Sequence, residues 1–236
     1  RLSSYCTADY GHSLAPVLRV LRARGVHGVV AGPPRNVTIQ DANRPTLWRH
    51  FSVALLSFPF PGIRAHRAAN HQFFNTLTGL KQLTRLGYQR VGYANSQATD
   101  SKLRLQLSGA VYAHAATLPA HARVTPLLAG ELDEPSFRKW FRAHTPDAVL
   151  GPHKVRKWLK QMDLSIPGDV AYADINRHTG RRTAGIDQHM PEVGAAAVDL
   201  VVGQIHRNER GLPTHPKDVL IEGTWVDGPT APGHGS

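Results

Sequence analysis

The chain reads as an α/β protein built on a mainly parallel, doubly wound sheet, and three features carry that expectation. Short apolar runs of strand length alternate with segments of helical period, the pattern of parallel strands joined by covering helices. Glycine or proline punctuates the joins, as at Gly25, Gly87 and Pro167-Gly168. Residues 166–188, IPGDVAYADINRHTGRRTAGIDQ, read as a helix exit, a buried strand, a polar loop and a second extended run. In open α/β sheets small ligands bind just beyond the carboxyl ends of strands. The strand here runs out at Asp174-Ile175-Asn176, and Asn176 is the first polar side chain assigned to a binding cleft.

Taken in order, residues 14–24 place Leu14, Val17, Leu18 and Leu21 on one helical face, and Gly25 closes the helix. Residues 26–31 follow as a buried strand ending in Gly32-Pro33-Pro34-Arg35-Asn36. Beyond Trp48, residues 51–56 form another strand. Phe73, Leu77, Leu80 and Leu83 mark a helix stopped at Gly87, and residues 90–94 are the next strand. Helices are expected around 103–116 and 135–143, a strand at 147–150 and a helix over 155–162. After the 166–188 stretch comes a long Ala/Val-rich helix over 192–207. Residues 1–5 look strand-like, and the Gly/Pro-rich residues 228–236 are expected to fray.

Composition narrows the function classes. The 236 residues are 41% hydrophobic and 19% charged, enough for a sizeable core. A single cysteine, Cys6, excludes an internal disulfide framework and a cysteine-based zinc site, and favours a reducing, cytoplasmic setting. No apolar run approaches the roughly 20 residues of a membrane span, and residues 1–5 carry no signal-peptide pattern. The first residue is Arg rather than Met, as in a processed or trimmed chain.

The formal charge of +11 admits two readings: a nucleic-acid surface, or a generally basic and merely soluble one. The positives gather mildly at 153–157 and 177–182, with no basic tail and no aromatic–basic repeat. A general nucleic-acid binder would show a steep loss of affinity with salt. Catalysis finds no motif: no HExxH, G-x-S-x-G, P-loop or G-x-G-x-x-G appears, so no enzyme, cofactor or metal is expected. Glu131, Asp133 and Glu134 precede a helix and read as N-terminal capping. Phe137, Trp140 and Phe141 have helical spacing and read as core. Trp48 could stack on a sugar face, although a core tryptophan is commoner.

Several stretches together resemble one family. Residues 25–31, GVHGVVA, resemble the "rgvdGiIla" strand of LacI/GalR-type regulators, and LTRLGYQRVG at 83–92 resembles their "Li.lGhrrIg". Pro146 to Val149 is similar to "pdAi", Ile166 to Val170 to "iPeDv", and residues 184–188 sit where the family has "lttv.q". Glu192 to Val198 fits "e.G..Av", and residues 223–230 resemble the closing segment. Each motif is mostly sheet-packing sequence, but their order and spacing cover almost the whole chain.

The resemblance implies the effector-sensing core of a LacI-type regulator, with the type I periplasmic-binding-protein-like fold. It implies two doubly wound parallel-sheet subdomains joined by crossing strands, with a small polar effector, a sugar, in the cleft. The subdomains would be 1–92 plus 188–218 and 93–187 plus 219–236. The first would be incomplete, since residues 1–6 align with the family's second strand. Effector binding would be coupled allosterically to operator binding by a homodimer, through an N-terminal head outside this sequence. A stand-alone periplasmic sugar-binding protein of a transporter is the alternative.

Carried over residue by residue, the family's strand-end Asp falls on Asn176, which can hydrogen-bond a hydroxyl without carrying charge. Its ligand-gripping Arg falls on Gln106, with Arg104 beside it, which disfavours a phosphate or carboxylate effector there. Gly151-Pro152-His153 replaces the usual "nD..A", bringing His153 to a strand end, and His71 or Asn70 lies near the family's "vDn" Asp. Gln188 either contacts effector or is a hinge-strand side chain bonding backbone. Asn176 either contacts ligand or forms an Asx turn. Pro33, Arg35 and Asn36 either line the pocket or belong to an ordinary loop.

Overall fold

The computed structural model describes residues 3–10, 12–32, 44–58 and 63–233. Pro33, Arg35 and Asn36 lie outside them. In chain order the elements begin with α1 (Leu14–Ala23), β1 (Gly28–Ala31), α2 (Pro45–Trp48), β2 (Ser52–Leu56) and β3 (His66–Asn70). Next come α3 (Gln72–Arg85), β4 (Val91–Ser96), α4 (Gln97–Lys102), α5 (Gln106–Ala116), β5 (Leu127–Ala129) and α6 (Glu134–His144). Then follow β6 (Ala148–Gly151), α7 (His153–Gln161), β7 (Ala171–Asp174), β8 (Ala184–Asp187), α8 (Met190–His206), β9 (Asp218–Ile221) and β10 (Thr224–Val226).

The chain divides into two compact units. Unit 1 comprises Arg1–Ala69 and Met190–Ile221, and unit 2 comprises Asn70–His189 and Glu222–Ser236. The first crossing therefore falls at 69/70 rather than 92/93. The reason is packing: α3 lies against α5, and β4 pairs with β5 and β6, so residues 70–92 belong with unit 2. The other crossings, at 189/190 and 221/222, lie within three residues of the positions expected from the sequence.

Unit 1 holds a sheet of order β1-β2-β3-β9, in which β1–β2 and β2–β3 are parallel. One face packs Val53 and Leu55 against Leu14, Val17, Leu18 and Leu21 of α1, with Trp48 fully buried among them. Trp48 is thus a core residue. The other face is covered by α8, where Val193 and Ala197 meet Ala68 and the Gln204 amide bonds both the N–H and the C=O of Val53. Two strand expectations need correction here. β1 is only half-buried because it is the edge of the sheet, and residues 3–6 carry no strand. Two strands of this sheet have no counterpart in the sequence expectations: β3, HRAAN, is polar at both ends although all five residues are buried, and β9, DVLI, is a short, largely exposed edge strand.

Unit 2 holds a six-stranded sheet, β10-β8-β7-β6-β4-β5, parallel except for the antiparallel β10–β8 pair. Side chains alternate across it, as a pleated strand requires. Ala148 and Leu150 of β6, with Ala171 and Ala173 of β7, face Leu80, Leu83, Leu107 and Val111 of α3 and α5. Val149 and Tyr172 face the opposite layer, which Phe137, Trp140 and Phe141 of α6 and Val155 and Leu159 of α7 complete. Helices on both faces make it doubly wound. The final segment is not frayed as far as it is described. Thr230 and Ala231 are buried, Tyr172 N–H donates to the Thr230 carbonyl, and the Thr230 hydroxyl accepts from Ala184 N–H.

The β7–β8 seam depends on Gly185, whose φ is +150°, a conformation L side chains rarely adopt. A Cβ there would sit 2.1 Å from the Asp174 carbonyl oxygen. Gly185→Ala is expected to cost at least about 2 kcal/mol of stability. Gly194→Ala, in open space on α8, is expected to add about 0.5–1 kcal/mol. Thermal denaturation of both variants checks this, and a Gly185→Ala protein as stable as the parent would refute the close approach.

Candidate functional site at the carboxyl edge of the unit 2 sheet

β4, β6 and β7 run parallel and end at Ser96, Gly151 and Asp174, so their loops share one edge of the sheet. The strand-end polar residue is Asp174, not Asn176: β7 reads AYAD, and its last side chain is 1% exposed. Asp174 Oδ1 accepts from Asn176 N–H at 3.0 Å, so the aspartate itself makes the turn there. Its Oδ2 is buried with no hydrogen-bond partner. It lies 3.5 Å from His153 Nδ1 and 4.0 Å from an Arg181 guanidinium nitrogen that is likewise buried without a hydrogen bond.

Burial dominates the electrostatics and pushes the Asp174 carboxyl above the ordinary carboxylate range. The Asn176 N–H bond, and then His153, Arg181 and His178, partly oppose that shift. Tyr172, just before it, donates to the Gly151 carbonyl at 3.1 Å, and burial with the nearby aspartate pushes its phenol upward too. The loop after β7 is fixed by Arg177, whose guanidinium donates to the Thr183 and Arg181 carbonyls and whose N–H donates to Ile186 O. Arg181 is thereby held facing Asp174.

The other expected residues divide. Gln106 opens α5, and its Oε1 is buried without a hydrogen bond. It is positioned by a tight turn: Arg104 and Leu105 both take positive φ, and buried Asp100 accepts from the Leu107 and Ser108 N–H groups at 3.1 Å. Arg104 is exposed on that turn. His153 stands at the start of α7, half exposed. Asn176 is exposed beyond the strand end. Gln188 is buried; its side-chain amide donates to Ile175 O at 2.8 Å, and its backbone carbonyl accepts from the Asn70 side-chain amide at 2.6 Å. His71 caps α3, Nδ1 accepting from Phe74 N–H.

Sequence reasoning missed Asp174 and Arg181 as a pair. The signal available was the first charged residue after four apolar or aromatic ones, VAYA, whereas the family's strand-end Asp was carried over to Asn176. Elsewhere Asp133 caps α6, accepting from Ser136 N–H at 2.8 Å, and that bond holds its carboxyl below the usual range. Among the described residues no cluster of histidine, cysteine or carboxylate side chains could hold a metal ion, and no helix is long and apolar enough to cross a membrane.

The architecture is the two-sheet, type I periplasmic-binding-protein-like fold shared with LacI-type transcriptional regulators. No protein-family model matches the chain, and no characterised sequence does. The likeness lies with solved structures. A periplasmic binding protein/LacI transcriptional regulator from Alkaliphilus metalliredigens, complexed with D-xylulofuranose, matches with a TM-score of 0.65 at 12% identity, over 92% of this chain and 82% of that one. The cellobiose complex of transcriptional regulator CelR gives 0.62 at 16%, over 91% and 69%. Transcription regulator CcpA of Lactococcus lactis gives 0.61 at 11%, over 92% and 82%. At such identities the likeness establishes the fold.

Asp174 has a testable stability signature. A carboxyl whose folded pKa is raised costs stability as pH rises from the unfolded value through the folded one, and the cost is absent at lower pH. Asp174→Asn should therefore melt higher than the parent at pH 7, with the gap shrinking as pH falls into the ordinary carboxylate range. Paired melting curves from pH 4 to pH 8 decide this, and a variant less stable at pH 7 would overturn it.

Proposed function

We propose that this chain is the effector-sensing core of a LacI-type transcriptional regulator and binds a small polar ligand, a sugar, at the carboxyl edge of the unit 2 sheet. One observation carries the reading. Asp174 Oδ2 and an Arg181 nitrogen are buried, lack hydrogen bonds and stand 4.0 Å apart. Leaving such groups unpaired is costly. A hydroxyl satisfies both at once, donating to the carboxylate and accepting from the guanidinium. The buried acceptor Gln106 Oε1 suits a further hydroxyl. His153, Asn176 and Arg104 are assigned to the rim of the same site, with Gln188 and His71 as positioning residues. The cellobiose and D-xylulofuranose carried by two structural neighbours support the ligand class.

Regulation would follow from differential affinity: a sugar that binds one arrangement of the protein better shifts the population toward it, and by no more than that difference. A homodimer would transmit the shift to paired DNA-binding heads.

The test is a thermal-shift screen of mono- and disaccharides that includes cellobiose and D-xylulose. A ligand at about 100 times its Kd should stabilise by about 2.7 kcal/mol. The shift should vanish in Asp174→Asn and fall in Gln106→Ala, while Asn176→Ala changes affinity only a few-fold. A shift untouched by Asp174→Asn would move the site elsewhere, and a screen with no stabilising sugar would sink the ligand class.

A further inference from the structure

The amino ends of the unit 1 strands carry a concentration of positive charge that the ligand site does not use. His50 stands immediately before β2, and its imidazole is held below the ordinary histidine range, first by desolvation and then by Arg22, Arg49 and Arg210. Geometry brings the segments that carry these three arginines together: α1 packs against α2, whose end carries Arg49, and a Cβ on Gly211, next to Arg210, would lie 3.6 Å from Arg49 Cα. All three arginines are exposed. Arg49 Nε donates to His50 Nε2 at 2.9 Å, an arrangement that needs the neutral ring. The 207–211 loop is tied to the same edge, with Gly211 N–H donating to Phe51 O and the Ser52 hydroxyl to Glu209 O. Exposed Lys217 joins it beside β3, its N–H donating to His66 Nδ1. Residues 19–27, 44–52 and 206–217 contain one acid, Glu209, and Arg207 already binds both of its oxygens.

Helix C-termini favour cations, which accounts for Arg22 at the end of α1 and His206 at the end of α8. It does not account for Arg210 or Lys217, which lie beyond the helix ends, and the α2 that Arg49 caps is a single four-residue turn with little dipole to offer. Like charges gathered on one face repel and cost stability unless an anion neutralises them. We propose that this face binds the phosphate backbone of duplex nucleic acid, independently of base sequence and of the ligand site. A lipid surface fits less well, because no large hydrophobic side chain is exposed within these three segments to insert into it.

The experiment compares two charge-matched triple variants of the full chain, using fluorescence anisotropy with a labelled mixed-sequence DNA duplex. Arg22→Gln/Arg49→Gln/Arg210→Gln removes the face. Lys139→Gln/Lys157→Gln/Lys160→Gln removes the same charge from exposed positions on α6 and α7. The parent should bind at about 50 mM salt and lose affinity steeply by about 200 mM. The arginine variant should bind at least about tenfold more weakly, with a log–log salt slope shallower by about 2 to 3, while the lysine variant matches the parent. Circular dichroism melts confirm that both variants fold. The proposal is overturned by equal losses in both variants, by no loss in the arginine variant, or by no parent binding at about 50 mM salt. It is also overturned if phosphatidylserine vesicles, rather than DNA, are bound through these arginines.

Discussion

A parallel sheet must be covered on both faces, and that constraint organises unit 2. Crossovers through α5, α6 and α7 join β4, β5, β6 and β7, and these helices with α3 cover the two faces, while β7 reaches β8 through the 175–183 loop. Because β4, β6 and β7 all run the same way, their last residues are forced to one edge. There the backbone leaves the sheet, helices begin, and polar side chains can be held without disrupting a strand. The burial of Asp174 follows from this geometry. It ends β7 under a loop that Arg177 pins down, between Gly151 of the neighbouring strand and Gly185 of the next.

That burial is a local instability built into a stable frame. A well-packed apolar side chain would cost the protein less than a desolvated carboxylate whose nearest basic side chains, His153 and Arg181, stand at 3.5 and 4.0 Å. The surroundings leave the carboxylate incompletely satisfied, and the proposed sugar would fill that deficit. On that proposal, stability and ligand binding pull in opposite directions at one residue.

Most of the helices and the central strands were legible because their apolar spacing is strong and their ends carry glycine or proline, as at Gly25, Gly87 and Pro167. β3 was not legible. Its polar residues are buried only because distant groups satisfy them: Lys217 N–H for His66, the Phe58 ring and Asp218 for Arg67, and the Gln188 carbonyl for Asn70. No local pattern announces such partners. The crossing expected at 92/93 failed for a related reason, since α3 follows unit 1 in sequence but finds its packing partner, α5, later in the chain. At the site, the strand end was legible only to within two residues. Asn176 drew notice as the last polar residue of an extended run, whereas the strand had already ended at Asp174.

The segment around Thr230 carries one more implication, concerning the order in which the protein is made. Thr230 bonds the backbone of both β7 and β8, and the Tyr88 hydroxyl donates to Pro232 O at 2.7 Å. These residues leave the ribosome after all of unit 1 has been synthesised. A nascent chain stopped at β8 holds Asp174 and Arg181 but lacks the strap that joins their strands. The carboxyl edge of the unit 2 sheet thus matures last, and no single cut of the gene separates the two units.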